Sequence, residues 1–249
     1  MTSLSLLLLG LALVAFLVVG QPDPQPSATP EATVRVPSDR LLRILHLLSG
    51  FVSGVKQVEE NKRRNVAHPH ALVESYLIPV YVPALGQVPT FYAEEFVDNV
   101  LKRRQLVTVY EDKDANIRVT PHNITVNPRL QRNGTLDTEV LYNLTVDDIT
   151  SNHSCSGHYD EPYENVFVGI FPDCSMGHDM NNPKIIGVTT CHYSRYVITY
   201  QGSKEGPNPV PYELNKLDVP LLPYMMAGKE NFTITCGPKP LERQIQWPA

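Results

Sequence analysis

Four cysteines, five asparagine sequons and two histidine-bearing clusters are the residues here whose type and spacing can do chemistry. The cysteines are Cys155, Cys174, Cys191 and Cys236. No two of them stand in a CxxC spacing, which argues against a zinc ribbon or a thioredoxin-type redox pair. An even count in an oxidising compartment predicts two disulfides, with three pairings open. Cys155–Cys174 with Cys191–Cys236 is the favoured set, because the first pair brackets one predicted strand pair. Disulfide bonding also explains Cys155 better than a role as nucleophile. His68-Pro-His70 has no third ligand nearby and reads as a solvated loop. His158, Asp160, Glu161 and Glu164 form a polar loop without the dense alternating carboxylates of a calcium site. No metal site is therefore predicted. Neither GxSxG, HExxH, a P-loop nor GxGxxG occurs.

The sequons are Asn123-Ile-Thr, Asn133-Gly-Thr, Asn143-Leu-Thr, Asn152-His-Ser and Asn231-Phe-Thr, none with a central proline. One sequon means little, but five behind an exported N-terminus predict a glycoprotein with these asparagines facing solvent. Residues 2–20 carry no charge, with an apolar core over Leu4–Val19 and the small Gly20 before Gln21. That pattern reads as a secretory signal peptide over 1–20, in preference to an uncleaved signal anchor. The expected location is extracellular, with no stable membrane insertion once the signal is removed. A net charge of −5 argues against nucleic acid as a partner, since a basic stripe is absent.

The elements that must hold any site come next. Residues 21–37 are rich in proline and polar side chains, too poor in apolar surface to order themselves, and read as a linker. From Ser38 to Gln57 apolar residues recur at Leu41, Leu45, Leu48, Phe51 or Val52, and Val55, the spacing of one helix face. Ser38 is the expected N-cap. Strands follow: Glu74–Val82 and Val88–Phe96 around a loop holding Gly86, then Gln105–Tyr110 and Ile117–Val126 around a polar turn. In the last of these Asn123 and Thr125 point away from Ile124 and Val126, which puts the sequon on the wet face. Thr145–Ile149 reads as a helical turn. Further strands are Asn165–Phe171, Lys184–Cys191, Arg195–Gln201 and Asn231–Cys236. Many short antiparallel strands behind one helix, with no βαβ rhythm, predict a mainly β, lipocalin-like (calycin-like) antiparallel barrel with one N-terminal α-helix, over residues 38–245. A barrel of that size can hold one small ligand.

Several motifs, in order, carry a family resemblance. Leu48-Ser-Gly50-Phe-Val52-Ser-Gly54-Val-Lys-Gln57 is similar to a Leu-x-Gly-x-Phe-x-Asn-x-x-Gln helix end, with Val52 and Gly54 in place of Phe and Asn. Phe91-Tyr92-Ala93-Glu94-Glu95 resembles a Phe-Tyr-x-Glu-Gln segment, with Glu95 in place of Gln. Arg103-Arg104-Gln105-Leu106-Val107 resembles a Tyr-Arg-Gln-Arg-Val strand, keeping Arg104 and Gln105 but replacing the second Arg by Leu106. Leu144-Thr-Val-Asp147-Asp148-Ile149, Ser154-Cys155 and Phe167-Val-Gly169 resemble the segments that follow. Over about residues 41–240 the chain resembles the CpcT/CpeT chromophore lyases, which attach bilins to cysteines of phycobiliproteins.

That resemblance implies a barrel with a pocket for a linear tetrapyrrole. Arg104 would grip a bilin propionate with two bonds, Glu94 would serve as proton donor or partner to the pyrrole nitrogens, and Tyr92 would stack on or bond to the ligand. The bland alternative for Glu94 and Arg104 is a cross-strand ion pair, and for Tyr92 ordinary barrel packing. Three functions follow. The first is a secreted glycoprotein whose barrel binds a small apolar molecule, a tetrapyrrole or related pigment being the implied ligand, with no cofactor required. The second is a lyase that joins a bilin to a cysteine of a partner protein. The third is an extracellular interaction module with a filled barrel.

Overall fold

A computed structural model of the chain describes residues 37–67, 69–128, 136–151, 155–171, 184–199, 211–217 and 232–236. The predicted signal peptide and all of the predicted linker except Pro37 lie outside the described residues.

Helix α1 covers Asp39–Leu48, and the Ser38 hydroxyl accepts a hydrogen bond from the Leu41 amide, as an N-cap should. It stops short of the predicted end at Gln57. Gly50 takes φ 113°, a value that favours glycine, and Ser49 before it is extended. The aromatic and β-branched Phe51 and Val52 then form strand β1 (Gly50–Ser53), and a second helix, α2 (Val55–Arg63), begins after Gly54. The single predicted helix is therefore two helices split by a strand.

Beyond them run β2 (Val73–Val80), β3 (Thr90–Val97), β4 (Val100–Glu111), β5 (Ile117–Ile124), β6 (Ile149–Ser151), β7 (Gly157–Tyr163), β8 (Val166–Phe171), β9 (Lys184–Thr189), β10 (Tyr193–Thr199) and β11 (Tyr212–Lys216). Every pairing is antiparallel. The order β4-β3-β2-β1-β11-β10-β9-β8-β7-β5 closes through β4–β5 into a ten-stranded barrel, with β6 appended to β5. Closure leaves no edge around the ring. The molecule is mainly β with a calycin-like barrel, as the alternating segments predict.

Strands β1, β6, β7 and β11 are additions to the sequence reading. His158, Asp160 and Glu161 lie on β7, not in a loop. Phe232–Cys236, read from the sequence as part of the strand Asn231–Cys236, pairs into no strand; Phe232 and Ile234 pack on the main core while Thr233 and Thr235 are exposed. Cys236 of this segment is bonded to Cys191, with Cα atoms 5.7 Å apart. Cys155 is also disulfide-bonded, and Cys174 lies outside the described residues.

The inside of the barrel is identified by burial. On β9 Thr189 is 5% exposed while Ile186, on the opposite face, is 40% exposed. Phe167, Tyr159, Ile117, Val119, Val109, Val107, Ala93 and Phe91 share the inner face and surround Leu41, Leu42, Ile44, Leu45 and Leu47 of α1. The helix thus fills one end of the barrel. Burial of each such leucine or isoleucine contributes about 1.5–3 kcal/mol. At the rim Arg43 grips Glu161 of β7 with bonds of 2.7 and 2.6 Å, and Arg40 donates to the carbonyls of Ala115 and Tyr159. Inside, Gly169 makes room for a ring: a Cβ there would sit 2.6 Å from Tyr159. At the other end Val52, Val73 and Leu214 form a smaller apolar floor.

Outside the barrel, the short helix α3 (Glu139–Tyr142) and the 3-10 turn Val146–Asp148 lie over β2–β5. Leu141 and Leu144 pack there on Val80, Val82, Tyr92 and Leu106. The β3–β4 region is therefore covered on both faces, by α1 within and by residues 136–149 without.

Candidate functional site

Side chains alternate across a strand, so neighbouring residues of β3 and β4 serve opposite faces. Registers Glu94↔Arg104 and Glu95↔Arg103 place one acid–arginine pair on each face. The parity of Phe91, Ala93 and Val107 assigns Glu95 and Arg103 to the lumen; that of Tyr92 and Leu106 assigns Glu94 and Arg104 to the outer face.

The outer pair is tight. The Tyr92 hydroxyl donates to Glu94 Oε1 at 2.5 Å, Arg104 Nε donates to the same oxygen at 2.9 Å, and Arg104 Nη1 donates to Asn127 Oδ1 at 2.6 Å. Glu94 is 3% exposed and the Arg104 side chain 26%. Burial, then the bond to Glu94, pushes the Tyr92 phenol well above its ordinary value, so it stays a donor. The three residues singled out by the family resemblance are thus brought together, but as a mutually satisfied group in the outer wall, under the 136–149 segment and not in the lumen.

The lumenal pair is loose. Arg103 Nη2 and Glu95 Oε1 are 3.6 Å apart, with the side chains 24% and 21% exposed. They line a cavity of about 100 Å³ together with Ser75, Leu77, Gln105, Ala93 and Val107. Glu94 also borders it, its carboxylate being held on the other face. Ser75 faces Glu95 across β2–β3, and the cross-strand row continues through Val52 to Lys216 of β11. The half-buried Lys216 amine turns to the carbonyls of His46 and Ser49 at the end of α1, at 3.5 and 3.4 Å. Burial pulls its pKa down to about 8. Burial, and then this lysine, also lowers that of His46.

The sequence singled out Glu95 only as a departure from a motif and did not select Ser75, Arg103 or Gln105 for a site. The two-residue turn Asp98-Asn99, both at positive φ, joins β3 to β4 and sets Val97↔Val100, a readable start to a register that then shifts between Glu95 and Phe96.

Among the other sequence candidates, Asn123 and Asn143 are exposed, as glycan acceptors must be. Asn133, Asn152 and Asn231 lie outside the described residues, as does His68. His70 bonds Asn61 at 2.9 Å. Glu161 is bound to Arg43, and no cluster of metal ligands occurs among the described residues. No helix among them is long and apolar enough to cross a membrane.

The geometry beside the expected tetrapyrrole can be set out for this cavity alone. Sites for drug-sized ligands start at about 300 Å³, against about 100 Å³ here, and the arginine expected to hold a propionate faces the outer layer. The chain matches no family model and no curated protein.

Proposed function

We propose that this protein is a secreted glycoprotein whose barrel binds a small molecule in the lumen, between β2, β3 and β4. One observation carries the reading: a cavity whose wall joins apolar Leu77, Ala93 and Val107 to polar Ser75, Glu95, Arg103 and Gln105. Inward charges cost solvation unless something uses them, and a few convergent polar groups in an apolar pocket are the usual form of a ligand site. Export is supported by the Cys191–Cys236 bond and by the exposure of Asn123 and Asn143. Descent from a CpcT/CpeT-like barrel remains part of the proposal, supported by motif order and by the barrel itself.

The second reading, an interaction module with a filled barrel, is favoured by the way α1 occupies one end of the lumen. Ligand-detected NMR against a library of small polar compounds separates the two. The expected result is a set of weak binders whose signal is lost in Arg103→Gln, with no absorbance shift of biliverdin and no denaturation-resistant colour on a thiol acceptor. A library without a single binder selects the filled module. A biliverdin shift abolished by Arg104→Ala selects the chromophore reading.

A further inference from the structure

We infer that the lumenal cavity selects a small zwitterion, an α-amino acid or a similar amino-carboxylate, held with its carboxylate on Arg103 and its ammonium on Glu95. This rests on the ligand-binding reading above and names the class of ligand. The first reason is charge. Glu95 and Arg103 stand 3.6 Å apart on one wall, so a simple carboxylate reaching Arg103 also meets the like charge of Glu95. A simple amine meets Arg103 in the same way. Only a guest with both signs close together finds two attractive partners, and like-charge contact is the usual device for rejecting the alternatives. Lys216 does not disturb the balance, because its amine is turned to the α1 carbonyls and does not line the cavity.

The second reason is the looseness of the pair. Glu94–Arg104, one residue away on each strand, closes to 2.9 Å with Tyr92 on the same oxygen. Glu95–Arg103 stays wider, with both side chains part-exposed along the cavity, so a guanidinium and a carboxylate both border the space a guest would take. The third reason is size. An apolar cavity of about 150 Å³ takes benzene, so about 100 Å³ takes a group somewhat smaller. Glycine and alanine are of that order, with Leu77, Ala93 and Val107 facing the short side chain and Ser75 and Gln105 offering further hydrogen bonds.

Isothermal calorimetry on the full secreted chain tests this, with glycine, alanine, acetate and ethylamine as probes. The wild type is expected to bind alanine about tenfold or more tightly than acetate or ethylamine. Glu95→Gln is expected to shift preference toward acetate, and Arg103→Gln toward ethylamine. Arg103→Lys, which keeps the charge, is expected to keep the order of the wild type. Acetate or ethylamine binding as tightly as alanine to the wild type overturns the zwitterion and leaves the lumenal site standing. No binding by any probe, with no binder in the wider library, overturns both. The order of affinities in the wild type decides the matter even where a variant fails to fold.

Discussion

The two acid–arginine pairs of β3–β4 differ in everything except composition. Glu94–Arg104 is closed at 2.9 Å, shares an oxygen with Tyr92, engages Asn127 and lies under the 136–149 cover. Glu95–Arg103 is 3.6 Å wide and lines an open volume. The first has its bonding capacity met by its own neighbours, so its role is to tie β3 and β4 to the segment that follows β5. The second sets both of its charges along the lumenal cavity. Chemical type therefore does not tell the two pairs apart; separation and the face each one serves do.

The contrast can be broken by mutation, and the largest effects belong on the outer face. Arg104→Ala leaves a carboxylate that is 3% exposed without its cation and should cost about 3–5 kcal/mol in urea unfolding. The lumenal affinity of the folded fraction should not change. Tyr92→Phe removes one donor from the same oxygen and should cost about 1–2 kcal/mol in the same measurement.

Lys216 has an intermediate effect with a distinct pH signature. Its pKa is about 8 in the fold against an ordinary 10.5, so between these values the unfolded chain binds more protons. Stability should therefore rise with pH from about 8 to 10.5 and carry the full penalty below 8. Lys216→Met should gain about 1 kcal/mol at pH 7, and a thermal melt series should show that rise flattened. The smallest effect is expected in the lumen: Glu95→Gln should alter stability by less than about 1 kcal/mol while changing which ligand binds. A loss as large as that of Arg104→Ala would erase the distinction between the pairs.

Much of the barrel was legible because short alternating runs and their turns name strands directly. The hairpin loop with Gly86, the polar turn before Ile117 and the helical turn at Val146–Asp148 all stand where the sequence puts them. The break in the first helix was less legible, because Leu48, Val52 and Val55 continue a helical spacing through Gly50, whose φ ends it. The site was the least legible part. Glu94-Glu95 and Arg103-Arg104 are doublets, so period two alone cannot say which member faces inward. Both faces of β3–β4 are covered, which removes the polar–apolar contrast that would settle it. A bulge between Glu95 and Phe96 then shifts the count from the Asp98-Asn99 turn by one residue, Lys102 being the extra one.

The most direct test of the lumenal site is an amide NMR titration of the labelled protein with alanine. The prediction is saturable shifts concentrated at Ser75, Leu77, Ala93, Glu95, Arg103 and Gln105. Shifts centred instead on Tyr92, Leu141 and Leu144 would contradict a binding site inside the barrel, and no shifts up to high alanine concentration would contradict the small zwitterion as its ligand.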